Sequence, residues 1–577
     1  MWNKSGLLLK QSSSFVNMSV FRKLQSAASY LHHPGTEPLS HITLSDALVQ
    51  TVDKYPNRVA LRSVYEDVTL TYDQLLTQAD ALGCALRAQG LEKGDRLGIW
   101  SHNNAGFVVA LVAAARIGVI SVLINPIYEN PELSFCLKKT GVKCLFISEN
   151  LPKRNYSGKL RELIPSLQDT KPGAISTELY PELTSIISAG KETLRGVFSY
   201  ETLLKDYARQ DASSYSKAIS PEDGCMIFFT SGSTANPKAV LDSNLSLVNN
   251  TYFIGKRNGF DNTHQNVAVQ SPLFHSLGCL GTLLAGFRHG ATITLTSATY
   301  NVKSNVDSLY SEKCTVITGT PTMFIDILLQ IKKNDKPPQE LRTAMAAGAP
   351  CSPQLIRNMQ KYLNVQHLRV LYGLSESTAC IFQSLPEDDV ETVADTVGYI
   401  QDHLEVKVID AQGSVVPYGT RGELLSRGYN TMISYWNDPV KTKEVLTEDG
   451  WLKTGDEFKI SKDGYGRIVG RIKDIIIKGG ENIAPKEIED LLNTHPEIIE
   501  SQVVGVPDDR LGEELCAVVR VKPGSKVTLN MISDHLSGKL ALFKIPKIVK
   551  YIEEYPKTAS GKVQKNKIRD MVVSGKL

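Results

Sequence analysis

No two cysteines in the 577-residue chain are spaced C-x-x-C, and the nine present, scattered from Cys84 to Cys516, are odd in number. These absences argue against a zinc site and a disulfide framework, and fit a reducing compartment. Charge of one sign is also missing. Lys and Arg number 64 against 61 Asp and Glu, a formal net charge of +3, and no stretch interleaves dense basic residues with aromatics as a nucleic-acid surface does. Nucleic acid is not an expected partner. Only residues 106–124, GFVVALVAAARIGVISVLI, approach membrane length, and Arg116 and Gly118 split that run into a helix and a following strand. No transmembrane segment is expected, and no internal repeat of about 20 to 50 residues is found.

Acidic residues are absent from residues 1–36, which hold Lys4, Lys10, Arg22, Lys23, many serines and the apolar Leu7 to Leu9. That bias resembles a mitochondrial transit peptide, so the matrix is the expected location. The peroxisome or cytosol is the alternative, since the chain ends Gly575-Lys576-Leu577, one residue away from S-K-L.

The length exceeds what one hydrophobic core serves, and 42% hydrophobic with 22% charged residues is ordinary for folded α/β proteins. From about residue 41, amphipathic helices alternate with short apolar strands. TLTYDQLLTQADALGCALRAQG reads as a helix before the strand RLGIWS, and KCLFIS, MIFFT, VAVQS and TITLT continue the pattern. Such alternation predicts layered α/β architecture with largely parallel sheets. Residues 152–215, rich in Ser, Lys, Glu and Pro, read as a surface insertion. After GRIVGRIKD the style changes to a strand IIIKGGENI, a helix opened by Pro485, and the strands SQVVGV and LCAVVRV. The expected organisation is a targeting segment 1–36, a large N-terminal domain 41–470 and a small mobile α+β C-terminal domain 471–577, hinged at 471–474.

The stretch FFTSGSTANPKAV, 228–240, has a P-loop's Gly-to-Lys spacing in Gly232 and Lys238. However, Pro237 replaces the second Gly, Ala239 stands where a magnesium-binding hydroxyl belongs, and KAVLDS alternates like a strand rather than opening a helix. A strand-loop-strand results. Its hydroxyls Thr230, Ser231, Ser233 and Thr234, with Gly232 and Lys238, suit phosphate oxygens, while magnesium must be held elsewhere.

Past residue 41 the chain resembles the adenylate-forming superfamily of acyl-CoA synthetases, luciferases and peptide-synthetase adenylation domains. The resemblance rests on TSGSTANPKAV, PLFHSLG (272–278), AAGAP (346–350), YGLSEST (372–378), WLKTGD (451–456), GRIKDIIIKGGENIAPKEIE (470–489) and YPKTASGKVQK (555–565), in that order. It implies a two-step reaction. A carboxylate attacks the α-phosphorus of ATP to give acyl-AMP and pyrophosphate, and the thiol of CoA then displaces AMP. A fatty acid, expected to be of medium chain, is the implied substrate.

By this resemblance Lys562 bridges carboxylate and α-phosphate, Glu376 holds Mg2+, and Asp456 accepts from the ribose hydroxyls, with Arg471 beside it. Tyr372 covers the adenine, Gly348, Ala349 and Pro350 let backbone approach the purine, and His275 lies by the acyl carboxylate and the pantetheine channel. Lys473 is the hinge position, and Gly479 and Gly480 let the small domain pass close to pantetheine. Three positions depart from the family pattern. Ala235 and Ala239 stand where Gly is usual, and Asn244 where His is frequent. A methyl forced to positive φ at Ala235 costs on the order of 1 to 2 kcal/mol. Two alternatives stay open: a catalytically impaired relative with a regulatory lipid- or nucleotide-binding role, and an aryl-CoA ligase.

Overall fold

The computed structural model describes residues 28–577, except 153, 191–193, 231–236 and 335–336. Its central feature is a helix buried all round. Asn104 caps Ala105–Ile117 by accepting from Phe107 N at 2.6 Å, and Gly118 ends it in the left-handed conformation at φ 72. A helix with no polar face must be covered on every side. This one shares a core with the helix Tyr72–Ala88 and with apolar residues of two large sheets, including Leu97, Leu123, Val267 and Ile293. Its buried Arg116 is matched by Asp80, Nε to Oδ1 2.6 Å, and by Ser45 at 3.0 Å.

One large sheet has eight strands, centred on the parallel strands Ile120–Ile124, Arg96–Trp100 and Cys144–Ile147; the antiparallel hairpin Gly224–Thr230 and Lys238–Ser243 extends one side. The other has nine, with Asn266–Val269, Val316–Gly319, Thr343–Ala347 and His367–Tyr372 running parallel at its centre. A five-stranded antiparallel sheet completes the large domain and ends in Gly466–Arg471. The small domain follows a single 3-10 turn, Ile472–Asp474, and has its own sheet and its own apolar core around Ile488, Val503 and Leu515.

Three expectations are corrected. Residues 28–36, assigned by composition to the targeting segment, are built into the fold. Tyr30–His33 pairs antiparallel with Leu404–Ile409 and forms an edge of the five-stranded sheet. Residues 152–215 are no surface insertion, because Ser185–Ser188, buried throughout, runs parallel to Cys144–Ile147, and Phe198–Ser199 adds the edge strand beyond it. Within IIIKGGENI lies a hairpin rather than one strand, Ile476–Lys478 turning through Gly479 and Gly480 into Glu481–Ile483.

Candidate active site

Ligands of parallel sheets bind beyond the carboxyl ends of the strands. In the nine-stranded sheet those ends deliver, from neighbouring strands, His275, Thr320, Gly348, Tyr372 and Glu376. Gly348 has φ +83, which a side chain resists, and a Cβ there would lie 3.5 Å from Lys562 Cε. The small domain's lysine thus reaches over this turn.

Lys562 is held by a tight loop of its own. Thr558 N donates to Lys562 O at 2.7 Å, and Lys562 N donates to Thr558 Oγ1 at 3.1 Å. Gly561, at φ +81, presses so closely on the large domain that a Cβ there would meet Thr320 Oγ1 at 3.1 Å and Met323 Cε at 3.2 Å. Burial lowers the Lys562 ammonium to about 8, Arg471 pushes the same way, and Glu376 and Asp456 oppose. Four groups expected to act together therefore share one electrostatic site.

Glu376 sits in a 3-10 turn, Ser375–Ser377, closed by Leu374 N donating to Ser377 Oγ at 2.9 Å. Its Oε1 accepts from Tyr435 OH at 2.7 Å, while the same hydroxyl accepts from Lys238 Nζ at 2.7 Å. Lys238 itself is 3.8 Å from the carboxylate. Tyr435 is a site residue that no motif marked; it stands on the two-residue strand Ser434–Tyr435, too short for a periodic signal. Burial raises its pKa, and Glu376 reinforces that, so the hydroxyl stays neutral and holds cation and carboxylate together.

Thr230 and Lys238 face each other across the strand-loop-strand. Among the described residues Thr230 Oγ1 is buried without a partner. The loop between them, with Ser231, Gly232, Ser233, Thr234 and Ala235, lies outside the described residues. Ala239 is ordinary extended strand opposite Phe229, and its methyl packs in the core, so this departure from Gly causes no strain. Asn244 is occupied in holding the fold. Its Oδ1 accepts from Leu44 N at 3.0 Å and its Nδ2 donates to Asp223 O at 3.2 Å.

Asp456, 3% exposed, accepts from Tyr372 OH at 2.7 Å and pairs with Arg471 Nε at 2.6 Å. Burial raises its carboxyl, and Arg471 and Tyr372 act to lower it. Because Arg471 ends the last strand before the 3-10 turn at Lys473, this ion pair lies at the junction of the two domains. His275 caps the short helix Ser276–Gly278, Leu277 N donating to its Nδ1 at 3.3 Å. Burial, aided by the Lys562 charge, lowers the imidazole to about 3, so it is neutral with its proton on Nε2.

Ala349 is half-buried and Pro350 exposed beside Gly348. Gly479 and Gly480 are exposed on the small domain, where Gly479 N donates to Leu511 O at 2.8 Å. A Cβ at Gly479 would meet only Leu511, and one at Gly480 nothing within 4 Å.

No group of three His, Cys, Asp or Glu able to hold a metal occurs among the described residues. Magnesium fits Glu376 nonetheless, since it favours one or two carboxylates completed by substrate phosphates and water. Among the described residues no helix is long and apolar enough to cross a membrane.

A large domain of stacked α/β sheets, with a lysine opening a hairpin strand, a carboxylate beyond a parallel strand end, a buried acid within the antiparallel sheet and a second lysine inserted by a small domain, defines the adenylate-forming class of enzyme. Family models agree in detail. The AMP-binding enzyme model matches residues 48–436, and the AMP-binding enzyme C-terminal domain matches residues 487–562. The chain belongs to the AMP-binding enzyme family. It is 37% identical over 552 residues to the mitochondrial medium-chain acyl-CoA ligase ACSF2 of Danio rerio, covering 94% of this chain and 90% of that one. Similarity to the Homo sapiens ACSF2 is also 37%, over 554 residues and the same shares. The fold is similar to the anthranilate CoA ligase AuaEII in complex with anthranoyl-AMP, with TM-score 0.81 and 23% identity over 94% of this chain and 99% of that chain. ATP-bound MatB from Rhodopseudomonas palustris superposes at TM-score 0.78 with 23% identity, over 91% and 98%.

Proposed function

We propose that this protein joins a fatty acid to CoA in two steps, consuming ATP and releasing pyrophosphate and AMP. The observation that carries the proposal is Lys562, brought by the small domain over Gly348 into the field of Glu376, Asp456 and Arg471. Both steps accumulate negative charge on oxygen, so a preorganised cluster of ammonium and guanidinium groups is the catalysis they need.

In the first step the acyl carboxylate lies between His275 and Lys562, and Lys562 neutralises carboxylate and α-phosphate together. Lys238 and Thr230 receive the phosphate chain at the hairpin. Glu376, with Tyr435 fixing one of its oxygens, holds magnesium, which when bound neutralises the phosphates. Asp456 accepts from the ribose hydroxyls, Tyr372, whose hydroxyl donates to Asp456, covers the adenine, and Gly348, Ala349 and Pro350 border the purine. The acyl chain runs along the apolar segment after His275, where Leu277, Leu280, Leu283 and Leu284 are buried. A neutral His275 places no charge at the entrance to that apolar wall.

In the second step CoA must reach the acyl-AMP. Gly479 and Gly480 are exposed on the small domain, and in this reading it turns about Lys473 to bring them to the pantetheine, withdrawing Lys562. The curated relatives' name supports a medium-chain acid, and their mitochondrial description, with the acid-free N-terminus, supports the matrix as location.

The test is pyrophosphate release with ATP, magnesium and CoA across saturated acids of about C4 to C16, with aromatic acids as competitors. A maximum at intermediate length, lost in Lys562→Ala, is expected. Preference for an aromatic acid would make this an aryl-CoA ligase, and ATP binding without any release would leave a regulatory relative.

A further inference from the structure

Lys562 must enter for the first step and leave for the second, and the domain interface shows what holds it in. The helix Pro321–Asn334 of the large domain presents a face to the Lys562 loop. At its start Thr320 and Met323 press on Gly561. Nearly one turn on, Asp326 lies 3.4 Å from Arg520 Nη1 and 3.9 Å from Lys557 Nζ, all three about four-fifths buried. Tyr300 OH donates to the Asp326 Oδ2 at 3.4 Å and so fixes the carboxylate from its own side.

Both cations belong to the small domain. Arg520 lies on Gly512–Val521, and Lys557 opens the loop that ends at Lys562. Lys557 pairs with Val563 in an isolated bridge, and Thr558 N donates to Lys562 O at 2.7 Å. Anchoring Lys557 therefore anchors Lys562, because the loop between them is closed on itself.

A second carboxyl faces the same cations. Glu500 stands opposite Arg520 in the strand register, is 6% exposed, and among the described residues its Oε2 has no partner. Burial raises this carboxyl to about 7, Lys557 and Arg520 act to lower it, and Asp326 and Glu489 add to the rise. The two cations thus lie between one carboxyl of each domain. When the small domain turns away, Arg520 keeps Glu500 opposite it in the strand register.

We infer that Asp326 is a positioning residue for the adenylation step, gripping Arg520 and Lys557 so that Lys562 stays in the nucleotide site, and that losing this grip favours the thioester-forming arrangement. The inference rests on the two-step ligase reading.

Asp326→Asn keeps size and the Tyr300 contact but removes the charge. Two readouts are taken on the full enzyme: ATP–pyrophosphate exchange with fatty acid, and transfer of acyl from synthetic acyl-AMP to CoA. Exchange is expected to fall about tenfold, as for two partly buried ion pairs lost together, with transfer unchanged or faster. Asp326→Glu should recover most of the exchange, and Arg520→Gln should repeat the split. Equal loss in both steps, at an unfolding temperature matching the parent's, would reduce Asp326 to a structural residue, and no change in either would remove the grip altogether. Absence of exchange in the parent enzyme would instead overturn the ligase reading.

Discussion

Raising the pH through about 8 should discharge Lys562 and switch off adenylation. The side chain's ordinary value is 10.5, and burial beside Arg471 brings it to about 8. That fall corresponds to on the order of 3 kcal/mol against the ammonium. The folded value lies below the unfolded one, so the penalty is present at low pH and is relieved as pH rises through the window between them. About nine-tenths of the groups are charged at pH 7 and about one-tenth at pH 9. kcat/KM for ATP, which reports the free enzyme, should therefore fall about tenfold per pH unit above 8. Bound triphosphate is an anion that favours the charged ammonium, so the kcat limb should lie at higher pH. The assay is pyrophosphate exchange at low and saturating ATP between about pH 6.5 and 9.5. Lys562→Arg is the control, because a guanidinium stays charged throughout. A kcat/KM profile that stays flat through this range, or an identical limb in the arginine variant, would refute the assignment. His275, already neutral with a value of about 3, should add no limb near neutrality.

Further outcomes follow from the geometry. Asp456→Asn removes the charge that Arg471 meets at 2.6 Å and one ribose acceptor, and should raise KM for ATP by about one to two orders of magnitude in exchange kinetics. Glu376→Gln should raise the magnesium concentration for half-maximal exchange several-fold, with ATP held saturating. Deleting 1–36 removes Tyr30–His33 and should lower the unfolding temperature by several degrees, measured by calorimetry. Arg116→Met with Asp80 intact leaves a buried carboxylate unpaired and should cost about 3 to 5 kcal/mol in denaturant unfolding.

Local signals carried much of this protein. Gly118 after an apolar helix, Pro237 breaking a P-loop, and hydrophobic alternation in KAVLDS are each read within a few residues, and each element lies where those signals put it. The site residues Glu376, Asp456 and Lys562 came from motifs, and only the fold shows that they share a field with Arg471. What escaped the sequence is what depends on distant partners. Ser185–Ser188 is four residues in a polar surround, below any periodic signal, and gains strand character from Cys144–Ile147. Tyr435 matters because Lys238 approaches it from another strand and Glu376 from a 3-10 turn. Asp326 looks like an ordinary helix-surface acid until the small domain supplies its cations.

The edge strand Tyr30–His33 ties the start of the fold to a very late segment. Tyr30 OH donates to Glu405 across 375 positions. Pairings that remote raise contact order and slow assembly. During synthesis the earliest folded-domain residues must wait unpaired until Leu404–Ile409 emerges, long after the parallel strands around Arg96–Trp100 can begin to pack. The five-stranded sheet is therefore the last part of the large domain to close, and the hinge grows directly from its far edge. Domain motion becomes available only once the two ends of the large domain have met.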